Sequence, residues 1–336
     1  MATIKEVAAA AGVAPSVVSR LLNGDATLRI RPETRDRIHG AVEQLRYTPN
    51  VAARSLRGAR SGAIAMALHE VVNPVYAEIV AGAQAAAADH DQALFLGDVD
   101  NLAQGSGTLV RLIDGGALDG LVIQGASRPS DDVLAHLANK VPTVMLQEDP
   151  RPGIGVVALP DEQAARVATE HLVELGHTRV GCVTTMRGTR HARDRLRGWR
   201  RALQAAGIKP EPTDWLWGLW NEPESGARVM GRLLDRSPDL TAVVVCNVIA
   251  AIGALGAASD RGYEVPRDIS VLAIHDLPLA RFVRPALTTV QLPLAELGRQ
   301  GVDLLADSTR AADASLVVSE PAPALIPRAS TAPPPA

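Results

Sequence analysis

Residues 3–24 read TIKEVAAAAGVAPSVVSRLLNG and hold two short helical patterns separated by a turn. Thr3 is followed three residues later by Glu6, a pair that forms reciprocal hydrogen bonds at a helix start. Apolar residues then recur at three- and four-residue spacing until Gly12, which can take the left-handed conformation that ends a helix. Pro15 suits the first turn of a second helix. The stretch therefore predicts a helix-turn-helix.

The second helix has one apolar side and one side of short or polar residues. The apolar side carries Val18, Leu21 and Leu22, and the other side carries Ser16, Val17, Ser19, Arg20 and Asn23. Short side chains allow close approach to a DNA groove, and guanidinium and amide groups read base edges. An ordinary helical hairpin is the alternative that this spacing alone leaves open.

A third helical pattern spans residues 32–45 and closes a small helical unit, to which we assign residues 1–48. In residues 49–62, a proline is followed by the short pattern VAARSL at 51–56. A helix of about two turns is marginal in water. We expect this hinge helix and linker to fold only against nucleic acid or a second copy of the chain.

Charge is divided unevenly along the chain. The net charge is −3, but residues 1–60 hold ten Lys and Arg against five Asp and Glu, and the rest is acidic. A basic head on an acidic body favours a module that binds a polyanion, although a solvated charged surface gives the same count.

Composition favours a water-soluble protein of several domains. The 336 residues are 47% hydrophobic and 21% charged, and no run of about 18 apolar residues predicts a membrane span. The start MATIKEV lacks the apolar stretch of an export signal, so we expect a cytoplasmic location and no membrane partner. Cys182 and Cys246 lie in apolar runs, which favours buried, reduced thiols.

From residue 63 onward, apolar runs alternate with helical patterns. Continuous apolar runs are typical of buried parallel strands, and alternating strands and helices predict doubly wound sheets. The runs are AIAMAL (63–68), ALFLG (93–97), GLVIQ (120–124), PTVML (142–146), RVGCVTT (179–185), TAVVVC (241–246) and ISVLAI (269–274).

No enzyme motif fits this pattern. GIGVVA at 153–158 matches a loose dinucleotide-binding spacing, but it follows prolines and precedes an apolar run instead of opening a helix. His171 and His177 do not share a helical face, so we expect no metal site there. We predict no catalytic residues, no metal and no cofactor.

Several motifs together resemble the lactose/galactose repressor (LacI) family of bacterial transcription regulators, over nearly the whole chain. They are the stretch at 3–24 together with RPETRDRIHGAVEQLRYTPNVAARSLR (31–57), ATEHLVELGHTRV (168–180), ARDRLRGW (192–199) and PALTTVQLP (285–293). The resemblance implies a second helix in the DNA major groove and a hinge helix that pairs with its twin in the minor groove. It also implies a homodimer on a pseudo-palindromic operator.

The resemblance and the helix faces together give a set of expected DNA contacts. Pro15, Ser16 and Arg20 are expected at base edges, Asn23, Tyr47 and Asn50 near phosphates, and Leu56 as a wedge between base steps. The full set is Thr3, Pro15, Ser16, Val17, Ser19, Arg20, Asn23, Arg29, Arg31, Tyr47, Asn50, Ala53 and Leu56.

Arg29 and Arg31 belong to this set because of the segment that follows the second helix. The segment is about two residues longer than is usual in the family, and family members often have hydroxyls where Ala14 and Val17 stand. We expect the two arginines to contact the DNA backbone and to offset the missing hydroxyls.

For the body, the resemblance implies a periplasmic-binding-protein-like domain at 63–330 with an effector in the cleft between two Rossmann-like lobes. The first lobe is expected at about 63–160 and 291–320, the second at 161–290 and 321–330, and a flexible tail at 331–336. The expected effector-binding residues are Tyr76, Gln124, Gln147, Arg195, Trp220, Asn221, Asn247 and His275.

The cleft positions depart from the family pattern in ways that remove carboxylates. Val248, His275 and Gln147 stand where aspartates are common, and Leu292 where a glutamine is common. Carboxylates suit clusters of sugar hydroxyls. With Arg195 less neutralised and His275 able to take a proton, we expect an anionic or aromatic effector in place of a neutral sugar, although drift of the site would produce the same changes.

We therefore predict a small all-α helix-turn-helix domain joined to a two-lobed α/β domain, acting as an effector-controlled repressor. A cytoplasmic solute-binding protein and an effector-independent DNA-binding protein are the alternatives. The proline-rich end PRASTAPPPA has no leucine heptads, which favours a dimer over a tetramer. The sequence leaves open the identity of the effector and the sign of its action.

Overall fold

The computed structural model forms two compact units, Met1–Ser61 and Gly62–Ala336. It describes residues 2–22, 25, 27–47, 61–69, 71–103, 105, 107–124, 129–307 and 312–335. Each unit has its own hydrophobic core.

The first unit contains three helices, α1 (Ile4–Ala11), α2 (Pro15–Leu22) and α3 (Pro32–Gln44). The predicted capping box is confirmed, because the Glu6 amide donates to Thr3 Oγ1 at 3.4 Å and the Thr3 amide donates to Glu6 Oε2 at 2.6 Å. Gly12 ends α1 with a φ of 65°. The three helices share a small hydrophobic core made of Val7, Ala8, Ala11, Val18, Ile38 and Ala41.

The second unit is built on two six-stranded sheets. The first has the order β11-β5-β4-β3-β1-β2, and every pair in it is parallel. Its strands are β1 (Ala63–Leu68), β2 (Ala93–Asp98), β3 (Leu121–Gln124), β4 (Thr143–Leu146), β5 (Gly155–Ala158) and β11 (Ser315–Val317).

The second sheet has the order β12-β10-β9-β8-β6-β7 and is parallel except for the pair β10 and β12. Its strands are β6 (Val180–Thr185), β7 (Trp215–Leu219), β8 (Ala242–Val245), β9 (Ser270–Ile274), β10 (Thr288–Gln291) and β12 (Ala324–Ile326). The last strands of the two sheets lie close together in sequence, so the chain returns to each lobe near its end.

Helices cover both sheets, which explains why most strands are continuously apolar. The α-helices of this unit are α4 (Val75–Asp89), α5 (Val99–Ala103), α6 (Thr108–Asp114), α7 (Asp131–Lys140), α8 (Asp161–Glu174), α9 (Arg190–Ala205), α10 (Pro223–Arg236), α11 (Val248–Asp260) and α12 (Leu294–Ala306), and a 3₁₀ turn spans Pro278–Arg281. Helices α4 and α12 pack together, as do α8 with α9 and α10 with α11. The predicted fold class is confirmed.

Strand β2 differs from the expectation of a fully buried strand. It lies at the edge of its sheet, and Phe95 and Leu96 are 56% and 47% exposed. An apolar run at a sheet edge has no helix over all of its surface, so apolar composition alone overestimated its burial.

The predicted flexible tail is wrong at its beginning. The Ala332 amide donates to Ser270 Oγ at 3.0 Å, and the Ala332 carbonyl accepts from His177 Nε2 at 2.8 Å. Thr331 contacts His171 at 3.1 Å. Both histidines therefore help to fix the chain end on the second lobe.

In the part of the chain that the structure describes, no helix combines the length and the apolar character needed to cross a bilayer.

Candidate functional site

A pocket lies where the carboxyl ends of strands from both sheets converge. Its volume is about 690 Å³, including space open to solvent. Gln124 is the last residue of β3, Thr185 of β6 and Leu219 of β7, and His275 directly follows β9. Ligands of open α/β sheets bind at such strand ends.

The structure brings all of the predicted effector-binding residues to this one pocket. The predicted set that lines it is Tyr76, Gln124, Gln147, Arg195, Trp220, Asn221, Asn247 and His275. Other lining side chains, such as His69, Glu148, Thr185 and His191, were not singled out from the sequence.

Arg195 contributes no uncommitted positive charge, contrary to the expectation from sequence. Its side chain is buried, and Nε donates to Asp161 Oδ1 at 2.7 Å, while Nη1 donates to the Cys246 carbonyl at 2.5 Å. Nη2 lies 2.9 Å from His275 Nε2. The guanidinium is therefore neutralised by a carboxylate and holds three parts of the protein together.

Asp161, which contacts the lining residues Arg195 and Gln147, is a carboxylate that the sequence reasoning missed. It is the first residue of α8, directly after the crossover from the first sheet, and its exposure is 3%. A negative side chain is favoured in the first turn of a helix. Its place after the apolar β5 and a proline was the available signal, because a strand end in this fold faces the cleft.

His275 is neutral in this arrangement. An arginine can only donate, so the contact with Arg195 Nη2 makes His275 Nε2 an acceptor and leaves the ring proton on Nδ1. Burial, and then the charge of Arg195, hold the pKa of His275 well below its usual value. The expectation that a protonated His275 adds positive charge to the pocket is therefore wrong.

Two equivalent turns aim side chains into the pocket, one from each sheet. Gln147 follows β4 with a φ of 60°, and His275 follows β9 with a φ of 75°. The Gln147 amide donates to the Val157 carbonyl at 2.8 Å, and the His275 amide donates to Val290 at 2.9 Å. Left-handed backbone outside glycine is uncommon and clusters at binding sites.

Side-chain contacts extend from the strand ends of the first sheet to the start of helix α8. Gln124 Nε2 donates to Gln147 Oε1 at 3.0 Å, and Gln147 Nε2 approaches Asp161 Oδ2 at 3.5 Å. Gln124 and Gln147 are both buried. The contact of Gln147 with Asp161 links the first sheet to the start of α8, and Asp161 in turn binds Arg195 on α9.

The opposite wall is fixed by capping interactions. Asn247 Oδ1 accepts from the Ala250 amide at 2.9 Å at the start of α11, and its Nδ2 donates to Asn221 Oδ1 at 2.8 Å. Ser225 Oγ binds both the amide and the carbonyl of Trp220, at 2.9 and 3.0 Å. Trp220 lies 6.5 Å from the ring of His69, at a tilted angle.

A further contact bridges the two lobes beside the pocket. Arg193 Nη2 donates to both carboxylate oxygens of Asp149, at 2.6 and 2.8 Å, and Arg190 Nη1 donates to the Glu148 carbonyl at 3.1 Å. The Arg193 and Asp149 side chains are about half exposed, so solvent screens this pair.

The helical unit exposes part of the predicted polar side of α2. Pro15, Ser16 and Arg20 are exposed, whereas Val17 is half-buried against the core of the unit. Arg20 Nε donates to Asp25 Oδ2 at 2.6 Å and Nη2 donates to Thr27 Oγ1 at 3.0 Å. The loop after α2 therefore holds the candidate base-reading arginine.

The other predicted DNA contacts fall into three groups. Arg29 and Arg31 are exposed, and Ser19 is half-buried on α2. Thr3 is engaged in the cap of α1, and Tyr47 packs against the helical core. The predicted contacts Asn23, Asn50, Ala53 and Leu56, and with them the hinge helix, lie outside the described residues.

A helix-turn-helix unit followed by a two-sheet unit with a pocket at the strand ends defines a class of ligand-binding regulatory protein. Residues 3–50 match the family described as "Bacterial regulatory proteins, lacI family", and residues 169–331 match the "Periplasmic binding protein-like domain".

Similar proteins extend along the whole chain. The HTH-type transcriptional repressor PurR of Haemophilus influenzae (strain PittEE) is 31% identical over 91% of this chain and 90% of its own length. The Lac repressor dimer bound to operator and the anti-inducer ONPF has a TM-score of 0.82 at 26% identity, covering 98% of this chain and 99% of its own. A CelR–cellobiose complex has a TM-score of 0.71 at 28% identity, covering 98% and 100%. The chain belongs to the lacI family of bacterial regulatory proteins.

Proposed function

We propose that this protein represses transcription by binding a specific DNA sequence as a homodimer, under the control of a small molecule held in the pocket. The observation that supports this proposal is that one chain contains both parts. It has a helix-turn-helix whose second helix exposes an arginine, and it has a pocket at the strand ends of two sheets. Binding DNA places the protein in the cytoplasm. Its proposed role requires no catalytic step.

For DNA, we assign the helix-turn-helix domain to residues 1–48 and the hinge and linker to 49–62. The exposed face of α2, with Ser16 and Arg20, has the residue types that read a major groove. A homodimer presents two such helices, so the expected operator is pseudo-palindromic. The sequence-based contacts in the hinge, Asn50, Ala53 and Leu56, belong to this proposal.

For the effector, we assign the binding domain to 63–330, with its cleft between a first lobe at about 63–160 and 291–320 and a second at 161–290 and 321–330. The predicted effector residues surround a single pocket, which supports this assignment. The similarity to a regulator solved with cellobiose supports a small molecule as the ligand of the fold.

For the homodimer, the support is a set of exposed apolar side chains at two places in the second unit. Phe95 and Leu96 lie on the edge strand β2, and Leu279 and Phe282 lie in or beside the 3₁₀ turn, with Phe282 73% exposed. Apolar side chains that extend into solvent from both sheets are typical of a contact between copies. The relative solved on its operator is described as a dimer.

The experiment is selection of bound DNA from a random pool with the full-length protein. We expect enrichment of an inverted repeat, and an affinity that falls steeply as salt increases. Extracts of small metabolites are then screened for a change in affinity for the selected site. Failure to enrich any sequence would contradict the proposal and favour a solute-binding protein, whereas enrichment without any effector response would favour effector-independent binding.

A further inference from the structure

We propose that the pocket takes a neutral, flat heterocycle that carries a hydrogen-bond acceptor and a hydrogen-bond donor, as a lactam or a carboxamide does. The inference rests on the proposed function in that it names the chemistry of the effector of that same pocket. Of the sequence-based expectation of an anionic or aromatic effector, it keeps the aromatic ring and drops the anion, and it differs from a sugar in the number of polar groups that the ligand brings.

The charges around the pocket argue against an anion. Among the described lining residues, Arg195 is the only arginine or lysine, and its charge is matched by Asp161 at 2.7 Å. Burial is the first cause that lowers the pKa of His275 well below its usual value, and it lowers the pKa of His191 to about 3. An anion would lose its hydration without gaining a cation.

Buried polar atoms of the lining that lack a partner indicate what a ligand can offer, and two of them belong to His275 and Gln124. Within the described part of the chain, neither His275 Nδ1 nor Gln124 Oε1 has a hydrogen-bond partner. The tautomer of His275 makes its Nδ1 a donor, and Gln124 Oε1 is an acceptor. Buried polar groups in proteins are nearly always paired, so these two atoms suit one acceptor and one donor of a ligand.

Most other polar groups of the lining are already committed to the protein. Asn247 uses its oxygen for the α11 cap and its nitrogen for Asn221, and Gln147 uses its oxygen for Gln124. Within the same described residues, the Thr185 hydroxyl is a further lining atom that lacks a partner. A sugar brings many hydroxyls that each require a partner, and this lining offers few.

The remaining surface of the pocket suits a flat apolar face. Tyr76, Trp220 and His69 contribute rings, and Leu146 and Leu219 contribute aliphatic surface. Ser225 holds the backbone of Trp220 through two hydrogen bonds, which fixes the backbone position from which the Trp220 ring extends. Aromatic side chains stack on planar ligands with a gain beyond burial of their area.

The test is isothermal titration calorimetry of the full-length protein with matched pairs of probes. Nicotinamide is compared with nicotinate and uracil with orotate, because each pair shares a ring and differs by a carboxylate. Adenine, glucose and cellobiose complete the set. We expect at least one neutral heterocycle to bind with one site per protomer, and its acid partner to bind at least about tenfold more weakly.

Variants connect that binding to the two buried atoms. Gln124→Leu removes the acceptor and should weaken the neutral heterocycle by about tenfold, and His275→Leu should weaken it similarly because it removes the ring donor, which the side-chain amide of an asparagine would replace. The matched control is Gln300→Leu, since Gln300 on α12 bonds Glu296 one turn away and does not line the pocket. It should leave binding unchanged.

Three results would overturn the inference: tighter binding of the acid partner, binding of a sugar without any heterocycle, or no binding by any neutral heterocycle at millimolar concentration. Equal losses in Gln124→Leu and Gln300→Leu would overturn the role of the buried atoms. DNA titrations on the same preparations distinguish a failure of this inference from a failure of the proposed function. If the protein binds its selected DNA and a sugar changes that affinity, the proposed repressor function stands and only the inferred chemistry of the effector is wrong.

Discussion

Arg20 on helix α2 is bound to Asp25 in the loop that follows, with 2.6 Å between Nε and Oδ2. Thr27 completes the arrangement, because its hydroxyl contacts both Arg20 Nη2 and Asp25 Oδ1. The hydrogen bond from Thr27, and then the one from Arg20, lower the pKa of Asp25 to about 2. The carboxylate is therefore ionised at neutral pH and fixes one edge of the guanidinium.

This relationship predicts that Asp25→Ala relaxes sequence discrimination without abolishing DNA binding. A fixed arginine reads one base pair, and the position that Arg20 reads is the one at which Arg20→Ala loses its base preference. At that position, Asp25→Ala should lower the preference for the correct base by up to about tenfold. Preferences at other positions should persist. The measurement is a titration of full-length protein with the selected operator and its single-base variants.

The control for Asp25→Ala is Asp36→Ala, which removes the same charge from the exposed face of α3. Loss of a negative charge strengthens binding to every DNA sequence alike. If both variants change affinity equally at all positions, Asp25 contributes only its charge and the positioning role is wrong.

Two glycines of α11 differ in their surroundings, which predicts opposite effects on stability when each is replaced by alanine. A Cβ at Gly253 would lie 1.7 Å from the Pro223 carbonyl oxygen, whereas a Cβ at Gly256 has nothing within 4 Å. Gly253→Ala should destabilise the second unit by about 1–3 kcal/mol. Gly256→Ala should stabilise it by up to about 1 kcal/mol, because alanine is the better helix former.

Urea unfolding followed by tryptophan fluorescence measures this contrast. The four tryptophans lie between residues 199 and 220, so the signal reports the lobe that contains both glycines. Equal stability of the two variants would mean that α10 and α11 can move apart at little cost.

The fold was predictable from sequence because its signals are local and repeated. Thr3, Glu6 and Gly12 specify the first helix by their own hydrogen bonds and backbone conformation. Apolar runs located the strands because helices cover both faces of the sheets. The same signal failed at Phe95, since composition does not distinguish an edge strand from a central one.

The members of the candidate site were predictable, but their charge states were not. The family resemblance assigned Arg195 and His275 to one site, and both line the same pocket. Their chemistry depends on Asp161, which lies 34 residues before Arg195 in sequence and contacts it only after the strands have assembled. The loop that holds Arg20 shows the same limit, because its extra length was visible in the sequence and its contact with Asp25 was not.

Two histidines of the pocket lining, His275 and His191, predict a loss of stability in acid. The folded-state pKa of His275 is well below its usual value, chiefly through burial, and that of His191 is lowered to about 3 for the same reason. Above the unfolded pKa of about 6.5 both states are neutral. As the pH falls through that value only the unfolded chain takes up protons, so stability falls by up to about 1.4 kcal/mol per pH unit for each histidine.

The measurement is urea unfolding at a series of pH values between about 7.5 and 5. His275→Asn should reduce the pH dependence of the free energy of unfolding by the contribution of one histidine, because asparagine does not titrate. Asparagine also tolerates the left-handed backbone at this position. A slope that is the same in His275→Asn and the unmodified protein would contradict the assignment of a neutral buried imidazole.

The two edges of the first sheet provide a matched test of the homodimer. Phe95 lies on β2 at one edge and Val317 lies on β11 at the other, and the two side chains are 56% and 51% exposed. Because an aspartate in an apolar contact loses its hydration without a partner, Phe95→Asp should shift the protein from dimer to monomer and weaken operator binding at least about tenfold. Val317→Asp, with the same change in charge, should do neither. Sedimentation velocity over a range of protein concentrations measures the dimer, and a Phe95→Asp protein that remains dimeric would place the contact between copies on a different surface.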